Sequence, residues 1–230
     1  MRYHVLATDY DGTLATDGQV GERTVEALRS VRGSGRHLVL VTGRRVEDLE
    51  AVFQHVALFE RIVAENGAVV WRPGAEQRLL ADPLPAAFPA ALRARGVPFV
   101  AGRVVVATWL PYDVEVLGAI RALGLDLEII FNKGAVMVLP PGVDKRSGLE
   151  AALGEIGRTL HETVAIGDAE NDQAMLAASG CGVAVSNALP VVKETADVVT
   201  LGARGAGVEE IAAALLRDDL GSHGASGRHG

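Results

Sequence analysis

A single cysteine, Cys181, stands in 230 residues, so no internal disulfide can form and the fold must rest on its core, as suits a reducing compartment. Flanked by Gly180 and Gly182 in an apolar stretch, Cys181 reads as packing and not as a nucleophile. Basic residues are the minority: 22 Lys and Arg face 29 Asp and Glu, for a net charge of −7, which excludes a basic nucleic-acid surface. An acidic chain that binds an anionic substrate needs local compensation, from a metal or from a few placed cations. No apolar run reaches the roughly 18 residues of a membrane span. No signal peptide precedes the first strand, and the expectation is a cytoplasmic protein that binds no membrane. No Gly-Lys-Ser/Thr phosphate loop occurs, and the run from Gly202 to Gly207 has the wrong spacing and position for a dinucleotide loop. There is no internal repeat.

What is present is an alternation of strand and helix signals, which predicts an α/β fold with a Rossmann-like parallel sheet. Apolar runs predict strands over 4–7, 37–41, 61–64, 163–166, 182–185 and 197–201. Helical spacing falls on 22–31, 46–56, 147–156, 173–178 and 208–216. The middle of the chain changes character. Residues 82–99 are rich in Pro and Ala, 104–109 reads as a strand, 113–123 as a helix, and 127–131 with 135–139 as a hairpin across Asn132-Lys133-Gly134. The expected organisation is a catalytic core from 1–81 and 141–217, an inserted α+β cap at 82–140, and a disordered tail at 218–230.

Four chain-distant pieces fall at predicted strand ends or helix starts: Asp9 with Asp11, then Thr42, then Lys145, then Asp168-Ala169-Glu170-Asn171-Asp172. Each alone has an ordinary reading. The first pair suits a solvated turn, Thr42 a helix cap, Lys145 a surface lysine, and the later acids a helix start. Together they make one chemical device. Period-2 geometry sends Asp9 and Asp11 the same way, and two acids held together raise a pKa or recruit a cation. Several carboxylates without a His/Cys cluster suit Mg²⁺. A carboxylate that attacks a phosphate dianion needs its charge offset by the metal and by Lys145, while Thr42 and glycine-turn amides hold the phosphate oxygens. A second acid, Asp11, can protonate the leaving oxygen and then activate water. That device is phosphoryl transfer through an aspartyl-phosphate.

Asp-Tyr-Asp-Gly-Thr, Val-Thr-Gly-Arg, the later Asp-Lys and Gly-Asp-Ala-Glu-Asn-Asp resemble the four motifs of the haloacid dehalogenase superfamily of phosphatases. The resemblance runs to about residue 216. Its insertion between the second and third motifs, with Asn66-Gly67-Ala68, is similar to subclass IIB, which carries an α/β cap there and includes sugar-phosphate and phosphoglycolate phosphatases. The resemblance implies that Asp9 is the nucleophile and Asp11 the general acid/base. It also implies that the Asp9 carboxylate, the Asp11 backbone carbonyl and Asp168 hold Mg²⁺, with Asp172 in support, and that Thr42, Gly43 and Lys145 bind the phosphate. Asn171 becomes a loop organiser, Arg44 a substrate contact or a surface cation, and Asn66 a possible contact. Tyr10 departs from the more usual apolar residue and is expected to point away. Arg103, Trp109, Asn132 and Lys133 are the cap candidates for the leaving group, with Trp109 more readily core and Lys133 more readily solvated.

The expected function is hydrolysis of a small phosphorylated metabolite by a monomer or weak homodimer. A phosphotransferase or mutase on the same scaffold would differ only in the acceptor. A phospho-Asp receiver module gathers similar residues, but it is roughly half this length and lacks an insertion.

Overall fold

The computed structural model describes residues 1–221. Strand β1 (Val5–Asp9) is buried at every position, the pattern of a central parallel strand covered on both faces. Helix α1 (Glu22–Gly33) turns Val25, Leu28 and Val31 inward and returns the chain to β2 (His37–Val41), parallel to β1. Helix α2 (Val46–Val52) leads to β3 (Arg61–Ala64), after which β4 (Val69–Trp71) and β5 (Gln77–Leu79) fold back antiparallel. The chain then leaves this sheet. It forms α3 (Ala87–Ala94), β6 (Val100–Ala101), β7 (Val106–Trp109), α4 (Asp113–Leu123), β8 (Glu128–Asn132) and β9 (Ala135–Leu139). It returns through α5 (Lys145–Glu155), β10 (Thr163–Gly167), α6 (Gln173–Ala178), β11 (Cys181–Ala184), α7 (Pro190–Thr195), β12 (Val198–Val199) and α8 (Gly205–Asp218).

The main sheet has the order β12-β11-β10-β1-β2-β3-β4-β5, parallel from β12 to β3. The insertion builds a four-stranded antiparallel sheet, β6-β7-β9-β8. Period 2 divides that sheet's faces. Val106, Val136 and Val138 pack with Phe88, Leu92, Val116 and Ile120 of α3 and α4, while Met137, Leu139 and Ala107 join the main core. The α/β reading with a small inserted α+β unit therefore holds. Cys181 is buried in the main core, as packing requires.

Several elements differ from their sequence reading. Helix α2 stops at Val52 because Phe53 turns extended and packs its ring against Tyr10 and Phe59. Strand β7 starts at Val106, not 104, since the amides before it are spent on a carboxylate described below. Strands β5 and β6 and helix α7 had no periodicity long enough to announce them. Trp109 was expected in the core, but it is 49% exposed. Helix α8 runs through Asp218, inside the segment expected to be a disordered tail. Asp219 accepts from Arg36 Nη2 at 2.9 Å and Leu220 is buried, so residues 218–220 are fastened to the core. Residues 222–230 of that segment lie outside the described residues. Among the described residues no helix is long and apolar enough to cross a membrane.

Candidate active site

From β1 the chain steps outward through β2 and β3, and it comes back on β1's other side through β10. Such a reversal opens a crevice outside the carboxyl ends of the strands. Four of the expected residues stand at that edge: Asp9 ends β1, Thr42 follows β2, Asn66 lies just past β3, and Asp168 follows β10. Lys145 joins them as the first residue of α5, whose cap is Asp144, accepting from Ser147 N at 2.7 Å. Gly67 lets that helix start come close: its φ is +110°, and a Cβ there would lie 1.9 Å from the Asp144 carbonyl oxygen.

The Lys145 ammonium, 1% exposed, donates to Asp9 Oδ1 and to Asp172 Oδ1, each at 2.6 Å. Asp172 Oδ2 accepts from the amides of Asp168 (2.9 Å) and Ala169 (3.0 Å), so it braces the loop that carries Asp168. Asp168 in turn accepts from Thr13 Oγ1 at 3.1 Å, from Lys133 Nζ, and from Asn187 Nδ2 at 3.4 Å. Burial raises the Asp9 carboxyl to about 8, Lys145 opposing and Asp172 and Asp168 adding to the rise. Burial likewise raises Asp168 against the pull of Lys133. For Lys145, burial pulls the ammonium down, but Asp172 and Asp9 overcome it and hold the group above the ordinary lysine value. The cluster is a set of acids short of positive charge.

Each of Asp9, Asp168 and Asp172 offers a carboxylate oxygen, all within 4.8 Å of one another. An all-oxygen donor set with no His or Cys suits a hard divalent ion and not zinc. The residues present therefore fit a metal site.

Asp11 does not join the cluster. Strand β1 ends at Asp9, and Tyr10 O accepts from the amides of Leu14 and Ala15, so the chain turns and the period-2 alignment of Asp9 with Asp11 is lost. The Asp11 carboxylate, 46% exposed, pairs in a bidentate fashion with Arg44 Nε (2.6 Å) and Nη2 (2.8 Å). The like charges that press on Asp9 come from Asp172 and Asp168. Tyr10 points away from the acids but is not idle: its hydroxyl donates to Gly18 O, and its ring lies 5.4 Å beneath the Arg44 guanidinium. Thr42 is fully buried and accepts from Arg44 N at 3.1 Å, and Met137 of the inserted sheet packs over Gly43. Asn171 Nδ2 donates to Asn66 Oδ1 at 2.8 Å, which ties the β3 and β10 loops together. Arg103 is not brought to the acids, since its guanidinium faces Glu47 at 3.8 Å. Lys133, expected in solvent, sends its ammonium down onto Asp168.

Three participants escaped the sequence reading. Thr13 lay inside the first motif but had no assigned role. Asn187 bonds the Gly12 carbonyl at 2.8 Å and accepts from Arg204 N at 2.7 Å, and its only signal was its place shortly after a strand beside β10. Glu65 is buried and accepts the amides of Arg103 (2.7 Å), Val104 (2.9 Å) and Val105 (3.0 Å), clasping the inserted sheet to the core. Gly102 makes room for that carboxylate, since a Cβ there would come 2.4 Å from Glu65 Oε2.

A sequence profile of haloacid dehalogenase-like hydrolases matches residues 6–90 and 125–211. A phosphoglycolate phosphatase from Methanothermobacter thermautotrophicus is 32% identical over 215 residues, covering 89% of this chain and 95% of that protein. One from Halorubrum lacusprofundi is 36% identical over 206 residues, covering 84% and 89%. The solved structure of a sugar phosphatase of haloacid dehalogenase subclass IIB has the same fold, with a TM-score of 0.73 over 92% of this chain and 97% of that one at 23% identity.

Proposed function

The chain belongs to the haloacid dehalogenase-like hydrolases, and on that premise we propose that it is a Mg²⁺-dependent phosphomonoesterase working through an aspartyl-phosphate on Asp9. The observation that carries this reading is the buried Asp9–Lys145–Asp172 chain beside Asp168, at the sheet's reversal point. Burying three acids with one fully buried lysine costs stability, which a structural role does not repay.

When bound among Asp9, Asp168 and Asp172, with the Asp11 carbonyl, Mg²⁺ supplies positive charge against the phosphate oxygens. The remaining chemistry belongs to the side chains. Lys145 keeps the Asp9 carboxylate oriented and offsets its charge as the phosphate dianion approaches. Asp9 attacks phosphorus, an Asp9 oxygen–phosphorus bond forms, the bond to the leaving oxygen breaks, and Asp11 gives that oxygen a proton. Water then attacks the phosphorus, Asp11 takes its proton, and Asp9 is restored as inorganic phosphate departs. Thr42 and the Gly43 amide hold the phosphate oxygens. An anionic substrate that draws Arg44 off Asp11 frees that acid to carry the proton.

Buried amides seldom go unpaired, yet Asn66 Nδ2 and Asn171 Oδ1 have no partner among the described residues, which leaves a buried donor and a buried acceptor for substrate or a water to satisfy. A cleft of about 160 Å³ lined by Gly43, Arg44, Arg45, Asp48, Glu65 and Met137 supports a leaving group of only a few heavy atoms. The substrate proposed is a small phosphorylated hydroxy acid of the phosphoglycolate type, with the inserted sheet as the cap that closes on it. The test is phosphate release from phosphoglycolate and from p-nitrophenyl phosphate with Mg²⁺ and no added acceptor. Asp9→Asn should lose at least about a thousandfold in kcat. Ordinary turnover by that variant sinks the mechanism, and p-nitrophenol release that requires an alcohol acceptor and yields the acceptor's phosphate ester in place of inorganic phosphate makes the protein a transferase.

A further inference from the structure

Lys133 reaches the acids from the other sheet. It heads the two-residue turn between β8 and β9, with φ of +47°, and Gly134 follows at +89°, the left-handed pair that a tight hairpin demands. The tip rests on the main domain: Lys133 N donates to Glu170 Oε2 at 3.3 Å, and its ammonium donates to Asp168 Oδ2. Ammonium and carboxylate pack directly over Gly12. A Cβ on that residue would come 2.8 Å from Lys133 Nζ and 2.4 Å from Asp168 Oδ2. The lysine side chain is 41% exposed while Asp168 is wholly buried, so a solvent-bathed stem delivers a charge into a closed pocket.

Both oxygens of Asp168 are thereby taken, Oδ1 by Thr13 and Oδ2 by Lys133 with Asn187. Of these three donors only Lys133 carries charge, and only Lys133 belongs to the inserted sheet. A divalent ion among Asp9, Asp168 and Asp172 would meet a positive group already seated on one of its ligands. We infer that Lys133 is the resident counter-cation of this site and competes with the divalent ion for Asp168. Metal entry then detaches the hairpin tip, and the released ammonium stands at the rim of the crevice, where it can receive the anionic end of a substrate. The inference rests on the metal reading above. It adds that metal occupancy and the seating of the inserted sheet are linked, and such linkage is reciprocal.

The test is titration of Mn²⁺ alone into substrate-free, metal-free protein, with free ion read by electron paramagnetic resonance. Lys133→Met keeps the stem and removes the charge, and it should bind Mn²⁺ roughly tenfold more tightly than the parent. Lys133→Arg retains the charge and should stay within about twofold of the parent. Lys133→Gln is a second neutral variant, in case methionine disturbs the turn. In the parent protein, saturating Mn²⁺ should also speed amide hydrogen exchange at 133–135. Unchanged or weaker Mn²⁺ binding by the neutral variants overturns the inference while leaving the metal site intact. Absence of Mn²⁺ binding by parent and variants alike overturns the metal reading, and this inference with it.

Discussion

Replacing Lys145 with methionine would ask whether charge holds the buried cluster together. Methionine matches the length and apolar stem of lysine, so the change removes one ammonium and little volume. That ammonium makes two 2.6 Å bonds to carboxylates with almost no solvent access. Breaking a buried pair by deleting one partner costs about 3–5 kcal/mol, because the other charge stays buried and uncompensated. In a two-state domain of this size each kcal/mol moves the midpoint by about 2–4 °C, so Tm should fall by roughly 6–20 °C. The sign of the pH dependence follows from Asp9. Its carboxyl sits near 8 in the folded chain against an ordinary 3.8, chiefly through burial, with Lys145 opposing the rise. A group whose folded pKa is raised gives stability that is present at low pH and lost as pH climbs through the folded value. Without Lys145 the folded pKa climbs further, so the two proteins part where the parent's Asp9 ionises: the deficit should hold level from pH 5 to about 7 and grow as pH passes through 8. Circular-dichroism melts of both proteins in chelator-treated buffer at pH 5, 6.5, 8 and 9 measure this. A Tm within about 2 °C of the parent at pH 8, or a deficit that shrinks as pH rises, refutes the electrostatic account.

Glu65→Ala removes a charged acceptor from three backbone donors, bonds of about 1.5–3 kcal/mol each, and should speed exchange of the Arg103, Val104 and Val105 amides by at least about tenfold. Mass spectrometry reads this, and unchanged protection over 103–105 would show that the clasp is idle. Gly67→Ala forces a Cβ into the Asp144 carbonyl at a left-handed position and should cost about 3 kcal/mol or more in urea unfolding. A loss under about 1 kcal/mol would mean that the start of α5 yields freely, against the close approach seen here.

Residues whose role follows from local pattern were legible in the sequence, and residues whose role comes from a distant segment were not. Asp9 could be read because it stands just past a short apolar run, where a first strand should end. Lys145 could be read because it stands at the opening of the helix that follows the insertion, and the structure starts that helix at Lys145 behind its Asp144 cap. The expected alignment of Asp11 with Asp9 fails for a physical reason. Period 2 holds only while the strand continues, and the amides that bond to Tyr10 O end the strand one residue too soon. Arg44 then supplies the partner that proximity to Asp9 does not. Glu65 was invisible because its work is done on backbone amides 38 to 40 positions away, which leave no trace in side-chain chemistry. The sequence offers Lys133 as a cap candidate and, more readily, as a solvated turn lysine. The hairpin was legible, but the direction it points depends on how one sheet packs on another.

That packing brings the insertion down onto the acidic cluster. The family match lapses over 91–124 and resumes at 125, just before β8. The unmatched stretch holds β6, β7, α4 and the end of α3. Much of it packs against the outer face of the small sheet, in a cluster separate from the main core. The matched stretch holds the β8–β9 hairpin, whose tip bonds Asp168 and Glu170. Substitutions in α3 and α4 change packing that never meets the acids. A change at the hairpin tip alters the charge seated on Asp168 and the hold of the inserted sheet on the main domain. The hairpin is therefore the half of the insertion tied to the acids, even though the Lys133 side chain at its tip is 41% exposed.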